Sequence, residues 1–174
     1  MLVSEWLVSR LIELGIERVY CLPGGFVQEV VDKLSHSELQ VIWCLDEASA
    51  VWAAIGDSQI TGQLGVTCTT AGPGSTNLLT GIASAWCDSI PILSICGEIN
   101  TPELEVKNKY NLREGSAQDV DMTRVARPIT KYVECAMGAN VVKWIFNNAV
   151  KFSLEDRRGP AMVIIPLDVQ GAEI

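Results

Sequence analysis

The apolar positions along the chain change period repeatedly, and each change marks an element. Residues 2–14 place Leu2, Trp6, Leu7, Leu11 and Leu14 at helical spacing, and Gly15 closes the run. A short apolar strand, "RVYCL" at 18–22, stops at Pro23-Gly24-Gly25. Helical spacing returns over 26–34 with Phe26, Val27, Val30, Val31 and Leu34, and "LQVIWC" at 39–44 reads as a second strand. Small and apolar residues over 47–60 suit a buried helix. A third strand, "LGVTCTT" at 64–70, breaks on Gly72-Pro73-Gly74 and restarts as a helix running to Trp86. "IPILSIC" at 90–96 is apolar on both faces, as a fully covered strand must be. Residues 99–118 are polar without a period and read as a loop. A weak strand at 129–134, a helix at 140–154 and a last strand at 161–166 complete the chain. Helices alternating with strands that are apolar throughout predict an α/β fold, doubly wound, with about six parallel strands and helices on both faces.

A length of 174 residues suits one domain, residues 1–174, with enough chain for its own core. The net charge of -8 and pI near 4.6 argue against nucleic acid or an anionic membrane as partner, since both select a basic face. Two short basic pairs, Lys107 with Lys109 and Arg157 with Arg158, read as solvated surface. Six cysteines show no C-x-x-C spacing, and Cys21, Cys44, Cys68 and Cys96 fall in or at the end of apolar runs. Buried, reduced thiols imply a reducing compartment, and the expected location is cytoplasmic. Neither a secretory signal nor an apolar run of membrane-spanning length is visible, because Glu5, Arg10 and Glu13 interrupt the first helix. No residue cluster reads as a metal site.

Ligands of open parallel sheets bind beyond the carboxyl ends of the strands. Three consecutive strands leave unusual residues at that edge: Pro23-Gly24-Gly25, then Asp46-Glu47, then Gly72-Pro73-Gly74 with Asn77. Glycines admit a ligand to the backbone, and a helix N-terminus adds free N–H groups. "AGPGSTN" is not G-x-G-x-x-G, and no G-x-x-x-x-G-K-[ST] occurs. A tight turn alone also accounts for the Gly-Pro-Gly. Glu47 follows a wholly apolar strand and precedes Ala48, Ser49 and Ala50. Desolvation there, and like charge from Asp46, favour its protonated form. The competing reading of Glu47 is an acid placed favourably at a helix N-terminus.

Taken together, "VYCLPGG", "DEASAVWAAIGDSQITGQLGVTCTTAGPGSTNLLTGIASAWCDSIPILSICGE", "QDVDMTRVARPITKY" and "RGPAMVIIPLDV" resemble the N-terminal pyrimidine-binding domain of thiamine-diphosphate enzymes, in the acetolactate synthase and pyruvate oxidase superfamily. The resemblance runs from about Val3 to Val169, and its "GPGSTNLLTGIASAWCDSIP" block is its most specific part. It implies a thiamine diphosphate cofactor. It gives Glu47 the role of hydrogen-bonding N1′ of the aminopyrimidine, which favours the imino tautomer that takes the C2 proton of the thiazolium. It places Pro23 and Gly24 against the pyrimidine, brings Thr70, Gly72, Pro73 and Asn77 to the cofactor, and turns Gln118 to the substrate side. The expected activity is that of a synthase-like carboligase or lyase acting on 2-keto acids.

The sequence also departs from the family pattern. Asp46 and Ala48 stand where His and Gln often flank the glutamate, Ala117 where Phe precedes the glutamine, and Glu98 where Gln follows the glycine after the fourth strand. His36 is the only histidine, so the paired histidines of the decarboxylase branch are missing and simple decarboxylation is disfavoured. The Gly-Asp-Gly motif that binds the diphosphate through Mg²⁺ in a second domain is also missing. The resemblance therefore implies a diphosphate-binding domain elsewhere, in the same longer chain or in a separate subunit, and a homodimer through helices 47–60 and 74–86. A non-catalytic assembly module of the same fold is the remaining alternative. A second pyruvate, 2-ketobutyrate and a keto-sugar nucleotide stay open as acceptor.

Overall fold

The computed structural model describes residues 1–174. Its elements run α1 (Val3–Glu13), β1 (Arg18–Cys21), α2 (Gln28–Ser35), β2 (Gln40–Trp43), α3 (Glu47–Thr61), β3 (Gly65–Thr69), α4 (Pro73–Thr76) and α5 (Leu79–Asp88). They continue with β4 (Ile92–Glu98), α6 (Thr101–Tyr110), α7 (Met122–Ala126), β5 (Tyr132–Cys135), α8 (Ala139–Leu154), β6 (Ala161–Pro166) and α9 (Leu167–Gln170). The six strands form one sheet in the order β2-β1-β3-β4-β6-β5, and every pairing is parallel. This is the doubly wound α/β fold that the alternating pattern predicts.

Alternate strand residues feed two cores. On one face Val19, Val66, Leu93 and Val163 pack with Leu7, Val30 and Phe146 of α1, α2 and α8. On the other, Tyr20, Ile92, Cys96 and Ile164 pack with Val51, Ile82 and Met122 of α3, α5 and α7. All residues of β3, β4 and β6 are buried, which is why these strands read as continuous apolar runs. Their few polar members pair internally, as where the Thr67 hydroxyl donates to Ser94 Oγ at 3.0 Å. Edge strand β2 has no fully buried residue. No helix is long and apolar enough to cross a membrane.

Several expectations need correction. Residues 99–118 are not all loop, because α6 occupies 101–110. Asn100 and Glu103 form a capping box, Pro102 sits in the first turn, and Asn111 ends the helix in the left-handed conformation. Only Leu104 is buried, so the helix leaves no apolar stripe to find. The helix after Gly-Pro-Gly is broken into α4 and α5 around Asn77 and Leu78. The weak strand begins at Tyr132 rather than 129, because Arg127–Ile129 form a 3₁₀ turn. Lys107 is not solvated: its Nζ lies 2.6 Å from Asp119 Oδ1, and the Asp119 side chain is fully buried. Arg157 and Arg158 do lie at the surface, donating to Ser89 Oγ and the Cys87 carbonyl, and to the Gly62 carbonyl. All six cysteines are free thiols; Cys21, Cys68 and Cys96 are buried, and Cys44 is only half-buried.

Candidate functional site

In an open α/β sheet the crevice opens where neighbouring strands send their connections in opposite directions along the sheet. Here that point lies at β1, whose neighbours are β2 on one side and β3 on the other. The loops leaving β1 and β3 carry Pro23-Gly24 and Thr70-Gly72-Pro73, so the chain topology alone converges on the residues singled out in the sequence. Glu47 joins them as the first residue of α3.

Asp46 caps α3. Its Oδ1 accepts the Ser49 N–H at 2.6 Å and its Oδ2 the Ser49 hydroxyl at 2.8 Å. These bonds hold the Asp46 carboxyl below its ordinary range. The cap fixes the first turn, and the next side chain, Glu47, turns inward with 7% exposure. Glu47 Oε2 accepts from Asn77 Nδ2 at 2.9 Å, a contact between residues 30 apart in sequence. The break between α4 and α5 sits at this asparagine. Glu47 Oε1 has no protein donor and faces Gly74, where an added Cβ would lie 3.0 Å from it.

The Cβ directions of Gly24, Gly72 and Gly74 face the chain's own loops. A methyl group on Gly72 would overlap the Gln118 carbonyl, and Gly72 holds φ +60°, open to glycine at little cost. A Cβ on Gly24 would strike Thr70, and one on Gly74 would lie 2.7 Å from Thr70 Cγ2. The space over these glycines is filled by the chain's own loops, so they dock the loops onto one another. Gly25 alone among the glycines of these two turns has open space above it. Thr70 is the hub of this packing. Its hydroxyl accepts the Phe26 N–H at 3.2 Å, and its carbonyl accepts from Ser75 Oγ at 2.6 Å.

The structure thus brings Gly24, Glu47, Thr70, Gly72, Asn77 and Gln118 into one contiguous cluster, with Pro23 and Pro73 exposed on its rim. Gln118 is exposed and holds φ +63°, with its carbonyl seated on Gly72. The neighbouring Asp119 anchors it by accepting from Lys107 and from the Gly115 N–H at 2.7 Å.

A thiamine pyrimidine presents a ring nitrogen and an amino group in one plane. A buried carboxyl with one oxygen anchored by Asn77 and the other without a protein donor, facing a glycine, is placed to share a proton with such a ring nitrogen. The residues present therefore fit the pyrimidine half of the cofactor.

Sequence reading treated Glu98 only as a departure from a pattern. In the structure it ends β4 with 4% exposure, accepts the Ile99 N–H at 2.9 Å through Oε1, and has no partner for Oε2. Burial pushes its carboxyl up to about 7. The signal available in the sequence was a lone acid at the end of a strand apolar on both faces.

A model of the family described as thiamine pyrophosphate enzyme, N-terminal TPP binding domain, matches residues 1–124. The large subunit of acetolactate synthase isozyme 2 from Escherichia coli (strain K12) is 33% identical over 167 residues, covering 96% of this chain and 29% of the relative. The acetolactate synthase large subunit of Corynebacterium glutamicum is 34% identical over 172 residues, covering 98% of this chain and 26% of its own length. The catabolic acetolactate synthase of Raoultella terrigena is 30% identical over 166 residues, 95% of this chain and 28% of its own. The chain spans less than a third of the length of these relatives.

Proposed function

Because the chain belongs to the thiamine pyrophosphate enzyme family, as a TPP-binding N-terminal domain of the acetolactate synthase-like kind, we propose that it grips the aminopyrimidine and supplies Glu47 as the activating carboxylate for an enzyme acting on 2-keto acids. One observation carries this reading: Glu47 is buried, fixed through Oε2 by Asn77, and unsatisfied at Oε1. The bound cofactor supplies an electron sink for bond cleavage and formation beside a carbonyl.

The chain's own residues do the rest. Asn77 restricts the Glu47 carboxylate to one orientation, so that Oε1 holds a proton against the ring nitrogen without rearrangement. The interlocked loops exclude water from the back of the carboxylate. Pro23 and Gly24 bound the ring on the β1 side, with Thr70, Gly72 and Pro73 on the β3 side, and Gln118 stands at the substrate side. The diphosphate and its Mg²⁺ fall to a partner domain in the remainder of the protein or in a separate subunit, a reading supported by relatives more than three times as long as the span matched. On α3, Trp52 and Ile60 expose 46% and 88% of their surface, and on α5 Trp86 exposes 40%, apolar area that a homodimer would cover.

Glu47→Gln in the complete natural protein tests the assignment. Turnover of pyruvate is expected to fall on the order of 10²-fold or more, as for loss of a proton-transfer group. Thiamine diphosphate affinity by calorimetry should fall far less. Unchanged turnover rules the role out.

A further inference from the structure

Beside the pyrimidine site, at the same edge of the sheet, lies a cavity of about 120 Å³ roofed by α6 and α7. Leu104, Met122, Cys135, Met137 and Ile164 give it an apolar wall, and it has room for several water-sized groups. Three carboxylates line it, those of Glu98, Asp119 and Asp121, against one lysine, Lys107. Two of the three are satisfied by the chain itself. Asp119 is held by Lys107 Nζ and the Gly115 N–H. Asp121 caps α7, accepting from the Arg124 N–H at 3.1 Å and from the Thr123 hydroxyl. Glu98 is the exception: more than nine-tenths buried, with Oε2 unpartnered at the cavity.

We propose that this cavity is a subsite for the acceptor substrate, and that Glu98 recognises a hydroxyl group on it. The inference rests on reading the chain as part of a carboligating enzyme. The lining disfavours a second 2-keto acid, whose carboxylate would meet three acids and a lysine already engaged by one of them. A hydroxyl suits Glu98 in either protonation state, since it donates to the carboxylate and accepts from the acid. A burdened acid is a weak structural choice here. Glutamine would accept the Ile99 N–H equally well, and burial already disfavours the ionised glutamate. Asp119 lines the cavity, and its chain neighbour Gln118 sits on Gly72 at the pyrimidine site, so the two places are adjacent.

The test uses the complete natural protein with pyruvate as donor and two acceptors of equal carbon skeleton, D-glyceraldehyde and propanal. Wild type is expected to prefer glyceraldehyde by about 10-fold or more in kcat/KM, because a site built for a hydroxyl rejects the analogue lacking it. Glu98→Leu should erase that preference. An independent readout is methyl NMR of Met122 and Met137, which line the cavity. Their signals should move with glyceraldehyde added alone, not with propanal, and not in Glu98→Leu. If Glu98→Leu fails to fold, Glu98→Gln takes its place at a pH well above 7, where Glu98 is ionised, with an expected fall of at least about threefold in glyceraldehyde affinity from losing the charged acceptor. A wild-type preference unchanged in the variant overturns the proposal, and so does a glyceraldehyde-induced methyl shift that survives it. Loss of all carboligation by wild type would instead indict the reading of the pyrimidine site, while the methyl shifts would still decide for or against the cavity.

Discussion

Glutamate 98 makes the folded state depend on pH in a direction opposite to that of most carboxylates. Its ordinary value of 4.5 rises to about 7 in the folded protein, chiefly through burial. The folded state therefore binds the proton more tightly than the unfolded state. Below pH 4.5 both states are protonated and the side chain costs nothing. As pH rises from 4.5 to 7 the unfolded chain ionises first, so stability falls, and above 7 the full cost persists. At 1.36 kcal/mol per pH unit the cost is about 3 kcal/mol. Glu98→Gln keeps the acceptor for Ile99 N–H and cannot ionise. The variant should match wild type near pH 4 and exceed it by about 3 kcal/mol at pH 8, or roughly 6–12 °C in Tm for a domain of this size. Urea unfolding of both proteins across pH 4–8 measures the gap directly. A gap independent of pH, or one that narrows as pH rises, would refute the assignment of a buried, unpaired carboxyl.

Gly72→Ala should destabilise by about 2 kcal/mol or more, since the methyl meets the Gln118 carbonyl at a positive φ; an unaltered thermal melt would contradict the docking described. Lys107→Met leaves Asp119 buried without its counter-ion and should cost about 3–5 kcal/mol, with recovery in the double variant that also carries Asp119→Leu. A melt of the single variant within 1 kcal/mol of wild type would show the pair to be dispensable. Residues 1–174 alone should bind thiamine diphosphate weakly, because the proposed diphosphate half lies elsewhere; micromolar affinity by calorimetry would count against that division.

The alternation of elements was legible because buried parallel strands leave unbroken apolar runs, and β3, β4 and β6 are buried at every position. The insertion of β6 between β4 and β5 was not, since neighbours in a sheet are chosen by packing over long sequence separations. Helix α6 escaped because a helix anchored by one buried leucine has no stripe; its signal lay in Asn100, Pro102 and Glu103, a capping pattern rather than a period. Glu47 and the Gly-Pro-Gly turn stood out as belonging together, yet the loop contacts made at the glycines did not. Whether a glycine faces a ligand or a neighbouring loop depends on what folds over it, here a residue 46 positions away. Lys107 was misread for the same reason, its partner lying beyond a turn that the local pattern does not announce.

The interlocked glycines bear on how such a domain diversifies. Gly24 against Thr70, Gly72 against Gln118 and Gly97 against the Phe26 carbonyl tie loops from distant parts of the chain at fixed van der Waals contact. A bulkier residue at any one of them requires compensation in a second loop, so single-step change there is blocked. The segment between Asn100 and Ala117 carries one comparable contact, Gly115 against Glu103 and Lys107, and that contact is internal to the segment. Lys107 and the Gly115 N–H reach out of the segment to Asp119, beside the Gln118 that seats on Gly72, so the segment can change length or shape only where those two contacts are kept. Heritable variation is thus channelled into the remaining positions of the neighbouring cavity's roof, while the Glu47 carboxylate stays in register.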